Sequence, residues 1–103
     1  MSMTVVVTRN VSSRVRGFLA STMLEVTPGV FTAPRISPAV RARIWDVLAN
    51  WFPHEQQAAI VMLWQDRETP GGQAVMTLGS PPVSLVEVDG MLLVKKRLQT
   101  SEP

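Results

Sequence analysis

Residues 4–31 read TVVVTRNVSSRVRGFLASTMLEVTPGVF, a stretch that predicts a strand, a basic helix and a second strand. The β-branched run at residues 4–8 is typical of a strand covered on both faces. Asn10 is a good N-cap, and Pro28-Gly29 interrupts the helix and begins a strand that ends near Ala33. The apolar residues of the helix recur at helical spacing, at Val11, Val15, Phe18, Leu19 and Met23. A buried strand that leads into a basic helix N-terminus places arginines and free backbone N–H groups beside the sheet, an arrangement that suits phosphate binding.

A second helix and four further strands are predicted downstream. Ser37 and Pro38 are an N-cap and a first-turn proline, and apolar residues at helical spacing continue the helix to near Pro53. The hairpin signal Asp89-Gly90 joins the last two strands. The four strands are predicted at residues 58–64, 73–78, 83–88 and 91–94.

This order of elements predicts an α+β ferredoxin-like fold of the βαββαβ type with extra C-terminal strands. We expect one domain over residues 1–97 and a flexible tail over residues 98–103. The two fully apolar strands, at residues 4–8 and 58–64, take the central positions of the sheet in this fold. Because two helices cover only one face of the sheet, we expect a second copy to cover the other face in a face-to-face homodimer.

Composition excludes several classes of protein. The absence of cysteine excludes a disulfide scaffold or a thiolate metal site and suits a cytosolic protein. The longest apolar run, residues 58–64, is far shorter than the roughly 18 residues of a membrane span. We also expect no signal peptide, since no basic region followed by an apolar one begins the chain.

Positive charge is concentrated in the first half of the chain. Residues 1–45 contain six arginines and one acidic residue, Glu25, whereas residues 46–103 contain seven acidic and four basic residues. This asymmetry favours a polyanionic partner for the N-terminal half. A solvated arginine face without a ligand is the alternative.

Few residues are suited to catalysis. A metal-dependent nuclease needs carboxylates that converge on Mg²⁺, yet Arg9 stands at the end of the first strand, where its guanidinium repels a divalent cation. Asp66 and Glu68 share a turn, and we expect them to shape it. His54, the only histidine, is expected in an exposed loop. With neither Cys nor Tyr in the chain, we assign no catalytic and no metal-binding residue.

Anion binding is better supported than catalysis. Asn10 can cap the first helix and also donate to a phosphate, and Arg14 and Arg16 follow within two turns. Because these arginines lie on opposite flanks of the apolar stripe, we expect them to contact two positions along a phosphate backbone. The alternative is that each arginine only covers the edge of the core. Arg41 and Trp45 lie close together on the second helix, where a core or dimer contact is favoured over base stacking.

An ordered set of short motifs resembles a known family. The motifs are Val5-Val6-Val7-Thr8, Asn10-Val11, Arg14-x-Arg16-Gly17, Leu24-Glu25-Val26, Gly29-Val30, Ile36-Ser37, Arg41, Ile44-Trp45, Val61-Met62 with Trp64, Glu68-Thr69 and Val88-Asp89-Gly90. Together they resemble the small CRISPR-associated adaptation subunit, "Cas two", of the Cascade (type I-E) subtype. The similarity continues in order to about Val94.

The resemblance implies a ferredoxin-like homodimer between two dimers of the CRISPR integrase, "Cas one", in the prokaryotic cytoplasm. The small subunit is then a non-catalytic scaffold that holds the middle of the duplex prespacer DNA, while the integrase acts at the two ends. Mg²⁺ is expected for the integrase, and neither a cofactor nor a membrane for this chain.

Two alternatives to the scaffold stay open. Family members are also described as Mg²⁺-dependent endonucleases, cutting RNA or DNA with an acidic residue at the end of strand one, which is the position of Arg9 here. The other alternative is a ferredoxin-like regulatory domain that binds a small ligand at its dimer interface. Such a domain predicts no affinity for DNA.

The resemblance also implies individual contact residues. DNA contacts are expected at Asn10, Arg14 and Arg16, with Arg9 as a further candidate. Integrase contacts are expected at Glu68 and Asp89.

Two segments depart from the pattern of the family. Relatives carry paired arginines in the loop after the fourth strand, whereas residues 80–83 read Ser-Pro-Pro-Val, so Arg9, Arg35 or Arg43 are candidates to supply that grip. The run Lys95-Lys96-Arg97 also differs, and no role is assigned to it.

Overall fold

A computed structural model describes residues 2–79 and the backbone of two later strands, at 84–88 and 91–95. The two helices are α1 (Ser13–Thr22) and α2 (Pro38–Trp51), and short 3₁₀ turns lie at Phe52–His54 and Pro70–Gly72. The strands are β1 (Thr4–Arg9), β2 (Leu24–Thr27), β3 (Val30–Ala33), β4 (Ala59–Gln65), β5 (Gln73–Leu78), β6 (Ser84–Val88) and β7 (Met91–Lys95).

Five strands form one antiparallel sheet in the order β2-β3-β1-β4-β5. The connectivity β1-α1-β2-β3-α2-β4 is the ferredoxin-like arrangement, with β5 added beside β4. The predicted α+β ferredoxin-like fold is therefore confirmed. The two apolar strands, β1 and β4, each have a neighbour on both sides, as predicted.

The segment between α1 and β3 was predicted wrongly. The sequence pattern predicted a helix that continued to Pro28-Gly29, but α1 ends at Thr22 and residues Leu24–Thr27 form strand β2. The extended backbone of Met23 ends the helix, and its N–H donates to the carbonyl of Leu19 at 2.8 Å. Pro28-Gly29 is thus the turn of a β2–β3 hairpin rather than the end of a helix.

The core lies between the two helices and one face of the sheet. Alternate residues of each strand point to this face, so that Val6 and Ile60, for example, are fully buried. From the helices, Val15, Leu19 and Leu48 are fully buried against them. The remaining core residues are Met23, Phe31, Ala33, Ile44, Trp45 and Met62.

The opposite side of the sheet, here called the open sheet face, is apolar, and neither of the two described helices covers it. Val5 lies opposite Leu63, and Val7 lies opposite Val61, so each pair shares this face. Val75 extends the row beside Leu63. All five side chains are half-buried or exposed within the single chain, and Val7 is 37% exposed.

The C-terminal strands form a separate two-stranded antiparallel sheet, β6–β7. The predicted hairpin is confirmed in its two strands, whereas the turn residues Asp89 and Gly90 and the tail at 98–103 lie outside the described residues. None of the helices in the described part of the chain is long and apolar enough to cross a membrane.

Candidate nucleic-acid interface

Four residues predicted to contact DNA lie in one continuous segment, at the end of β1 and the start of α1. Arg9 is the last residue of β1 and pairs with Ala59 of β4. Asn10 begins the loop that follows, and Arg14 and Arg16 occupy the first two turns of α1. All four are exposed. The fold therefore presents three guanidinium groups and one amide to solvent over a short stretch of chain.

The N-terminus of α1 is capped by Ser12, and the prediction that Asn10 caps it was wrong. The Oγ of Ser12 accepts a hydrogen bond from the backbone N–H of Val15, at 3.4 Å. Asn10 instead adopts the left-handed conformation, with a φ of 61°. Its Nδ2 donates to the backbone carbonyl of Gln57 at 3.3 Å, which ties the β1–α1 loop to the segment before β4.

A carboxylate already lies at this helix end. Oε1 of Glu55 accepts from the backbone N–H of Ser12, and Oε2 accepts from its hydroxyl, each at 2.7 Å. Negative charge is favourable there because of the helix dipole. The sequence predicted that the helix N-terminus offers free N–H groups to phosphate. This is wrong for the N–H of Ser12, which donates to Glu55.

Arg14 and Arg16 have different neighbours. The guanidinium carbon of Arg14 lies 3.9 Å from the ring centroid of Trp51, the last residue of α2. The guanidinium of Arg16 instead forms an ion pair with Glu25 of β2, at 3.0 Å. This is the one ion pair within the described residues. The guanidinium of Arg14 is therefore stacked on an aromatic ring, and no acidic side chain in this part of the chain neutralises its charge.

Glu25 is held in its ionised form. The backbone N–H of Gly29 donates to its Oε2 at 3.0 Å, and this bond lowers the pKa of the carboxyl below its ordinary value of 4.5. Desolvation opposes the change, while the hydrogen bond and positive charge of Arg16 lower the pKa further. The same carboxylate thus binds the β2–β3 turn and reduces the free charge of Arg16.

A second arginine–tryptophan stack lies at the other end of β1. The guanidinium carbon of Arg41 is 4.1 Å from the ring centroid of Trp64. Trp64 pairs with Thr4, the first residue of β1. Trp45 is buried in the core, in agreement with the core role favoured from the sequence, and it lines the same surface pocket as Arg41.

The acidic residues near β4 shape the turn that follows it. Oδ1 of Asp66 accepts from the backbone N–H of Glu68 at 2.9 Å, and the backbone N–H of Asp66 donates to the carbonyl of Gly72 at 2.9 Å. Glu68, one of the expected integrase contacts, is exposed in this turn. The other, Asp89, lies outside the described residues.

The remaining candidates lie apart. Arg35 precedes α2, Arg43 lies on it, and both are exposed. His54 is exposed in a 3₁₀ turn. Across the part of the chain that the structure describes, no three His, Cys, Asp or Glu side chains come together as metal ligands would.

Sequence reasoning missed two residues that contact the start of α1: Glu55, which binds Ser12, and Trp51, which stacks on Arg14. Both are distant in sequence from α1, and the fold brings the end of α2 and the 3₁₀ turn after it to the start of α1. Trp51 follows the apolar stripe of α2 and its periodicity predicts a core position. No signal in the sequence distinguishes a tryptophan that only packs in the core from one that also stacks on an arginine.

One comparison with known proteins bears on identity. A family model described as CRISPR-associated protein (Cas_Cas2CT1978) matches residues 3–93. The match covers the five-stranded sheet, both helices, strand β6 and most of β7, and it includes the whole segment from Arg9 to Arg16. The chain therefore belongs to this family of CRISPR-associated proteins, in agreement with the resemblance seen in its motifs.

Proposed function

We propose that the chain is a non-catalytic scaffold subunit of a type I-E spacer-acquisition complex, in which a homodimer bridges two integrase dimers and binds the middle of duplex prespacer DNA. The observation that carries the proposal is the exposed segment from Arg9 to Arg16, with three arginines beside the end of a central strand. A polyanionic backbone suits this surface, because guanidinium groups bind phosphate through paired N–H donors.

The same segment argues against the nuclease alternative. An Mg²⁺-dependent nuclease needs carboxylates at the strand end, whereas the residue there is Arg9. An acidic side chain beside the β1–α1 loop, Glu55, accepts hydrogen bonds from both donors of Ser12. The Mg²⁺ of the complex is assigned to the integrase.

The open sheet face supports the homodimer. Sheets that pack face to face lie about 10 Å apart and interlock their apolar side chains. Such a surface is formed by Val5, Val7, Val61, Leu63 and Val75, and α1 and α2, the helices of the described residues, lie on the other side of the sheet. A two-fold axis through this face would present two copies of the arginine segment to one duplex.

Binding through phosphates has measurable consequences. Affinity is expected to depend little on sequence and steeply on salt, with a slope that falls by about one for each phosphate contact removed. Arg14 is expected to contribute more than Arg16, because Arg16 is partly neutralised by Glu25. Glu68 and Asp89 are proposed as integrase contacts.

The proposal is tested by capture of a labelled duplex prespacer in the presence of the integrase. The variant Arg14→Ala/Arg16→Ala should bind the duplex more weakly and with a smaller salt slope while remaining folded. The comparison variant, Arg35→Ala/Arg43→Ala, removes the same charge at the two alternative candidates near α2 and should have the smaller effect. Unchanged DNA capture by the Arg14/Arg16 variant would contradict the assignment.

The same samples test the nuclease alternative. Purified chain without integrase is incubated with RNA and DNA in Mg²⁺, with EDTA as the control. The scaffold predicts no cleavage above that of a mock purification. EDTA-sensitive cutting that is lost on replacing one carboxylate of this chain would support the endonuclease instead.

A further inference from the structure

Trp51 is held between two side chains of α1. The guanidinium of Arg14 lies over its ring, and the ring of Phe18 meets it edge to face, with 5.4 Å between centroids and 68° between planes. Arg14 and Phe18 are four residues apart, so they lie on the same side of the helix. Trp51 is half-buried against the core, and its position is therefore fixed by packing rather than by Arg14 alone.

Stacking restrains Arg14 without consuming its hydrogen-bonding capacity. The face of a guanidinium can rest on an aromatic ring while its N–H groups, which point outward in its plane, stay free for a phosphate. A free arginine side chain has many rotamers, and ordering it on binding costs conformational entropy. An arginine that is already ordered loses less on binding.

Of the two arginines on α1, only Arg14 is ordered by a contact that leaves its charge free. Arg16 is also restrained, but by Glu25, whose carboxylate accepts a hydrogen bond from Nη2 of Arg16 and partly neutralises its charge. No carboxylate lies within ion-pair distance of Arg14 in the described residues. Its orientation is fixed while its charge stays available.

We propose that Trp51 is a positioning residue for DNA binding, which holds the Arg14 guanidinium in the orientation that receives a backbone phosphate. This inference rests on the proposed function, since it assumes that Arg14 contacts DNA. Trp51 itself makes no contact with the duplex in this scheme and acts only through Arg14.

A double-mutant cycle in the complete assembly tests the inference. Duplex prespacer is titrated in the presence of the integrase for the wild type, Arg14→Ala, Trp51→Leu and the double variant. Without the stack, Arg14 must be ordered when DNA binds, so Trp51→Leu should bind about 2- to 10-fold more weakly. Because Trp51 acts only through Arg14, the double variant should bind no more weakly than Arg14→Ala alone.

Two further variants separate positioning from folding. Trp51→Phe keeps an aromatic face and should restore most of the affinity lost in Trp51→Leu. Trp64→Leu removes the tryptophan of the other stack, at the opposite end of a strand about 17 Å long, and should leave DNA affinity unchanged. Thermal unfolding of each variant shows whether it is folded at the temperature of the titration.

The outcomes distinguish the inference from the proposed function. If Arg14→Ala binds DNA as the wild type does, the assignment of Arg14 fails and the inference fails with it. If Arg14→Ala binds weakly but Trp51→Leu binds normally, only the inference is overturned. Additive losses in the double variant, or an equal loss in Trp64→Leu, would also overturn it, because each would show an effect independent of Arg14.

Discussion

At the scale of single residues, Glu25 couples the β2–β3 turn to α1 through the N–H of Gly29 and the guanidinium of Arg16. Since both partners favour the ionised form, the pKa of Glu25 is lower in the folded protein than in the unfolded chain. The carboxylate therefore stabilises the fold above its ordinary pKa of 4.5, and this contribution is lost as the pH falls through the lowered folded-state value.

The variant Glu25→Gln measures this contribution. At neutral pH it should unfold at a lower temperature than the wild type, and the difference should shrink as both proteins are acidified. Thermal unfolding followed by circular dichroism over a series of pH values provides the comparison. A difference that stays constant or grows toward acid pH would contradict the assigned role.

Ser12 provides a second test at this scale. Replacing an N-cap serine by alanine costs about 1 kcal/mol of stability, and Ser12→Ala would also remove a hydrogen bond to Glu55. Ser13→Ala is the matched control, because the neighbouring serine is exposed and makes no side-chain hydrogen bond among the described residues. Denaturant unfolding should show a loss for Ser12→Ala and almost none for Ser13→Ala; equal losses would place the cap elsewhere.

At the scale of elements, the long apolar strands and the start of α2 could be predicted from the sequence. The apolar runs of β1 and β4 predicted central strands, and Ser37 caps α2 as its pattern indicated, accepting from the N–H of Val40 at 3.1 Å. These signals are local and strong. β2 was missed because four residues are too few to show a period, and Leu24–Thr27 continues the apolar spacing of α1.

Only the part of the candidate site that has local sequence signals could be predicted. The sequence indicated exposed arginines after β1, but the cap was assigned to Asn10 rather than to Ser12 because both residue types cap helices well. The supporting contacts from Glu55 and Trp51 join segments about forty residues apart in the chain. Such contacts depend on where the fold places the end of α2 and the turn after it, and no local pattern encodes them.

Two glycines test the placement of the hairpin and of α1. Gly29 has a φ of 83°, and a Cβ there would lie 2.9 Å from the carbonyl oxygen of Thr8, so Gly29→Ala should destabilise the protein by about 1–3 kcal/mol. Gly17 lies within α1 with open space around it, so Gly17→Ala should stabilise by about 0.5–1 kcal/mol. Urea unfolding of both variants should shift in opposite directions. Shifts of the same sign would contradict these backbone assignments.

At the scale of the whole molecule, the account requires the open sheet face to be covered by a second copy. Val7→Glu places a charge in the middle of that face, where Val7 is 37% exposed in the single chain, and should give a folded monomer. Val40→Glu is the matched control, since Val40 is 43% exposed in the first turn of α2. Sedimentation should show a dimer for the wild type and for Val40→Glu; a dimer that survives Val7→Glu would contradict the proposed interface.

The central claim, that this chain is the scaffold of an integrase complex, is tested most directly by co-elution. The chain, its matching integrase and a labelled duplex prespacer are mixed and separated by size exclusion, with each component omitted in turn. The scaffold predicts one large peak that carries the DNA and forms only when both proteins are present. Elution of the chain as a lone dimer, with neither integrase nor DNA, would contradict it.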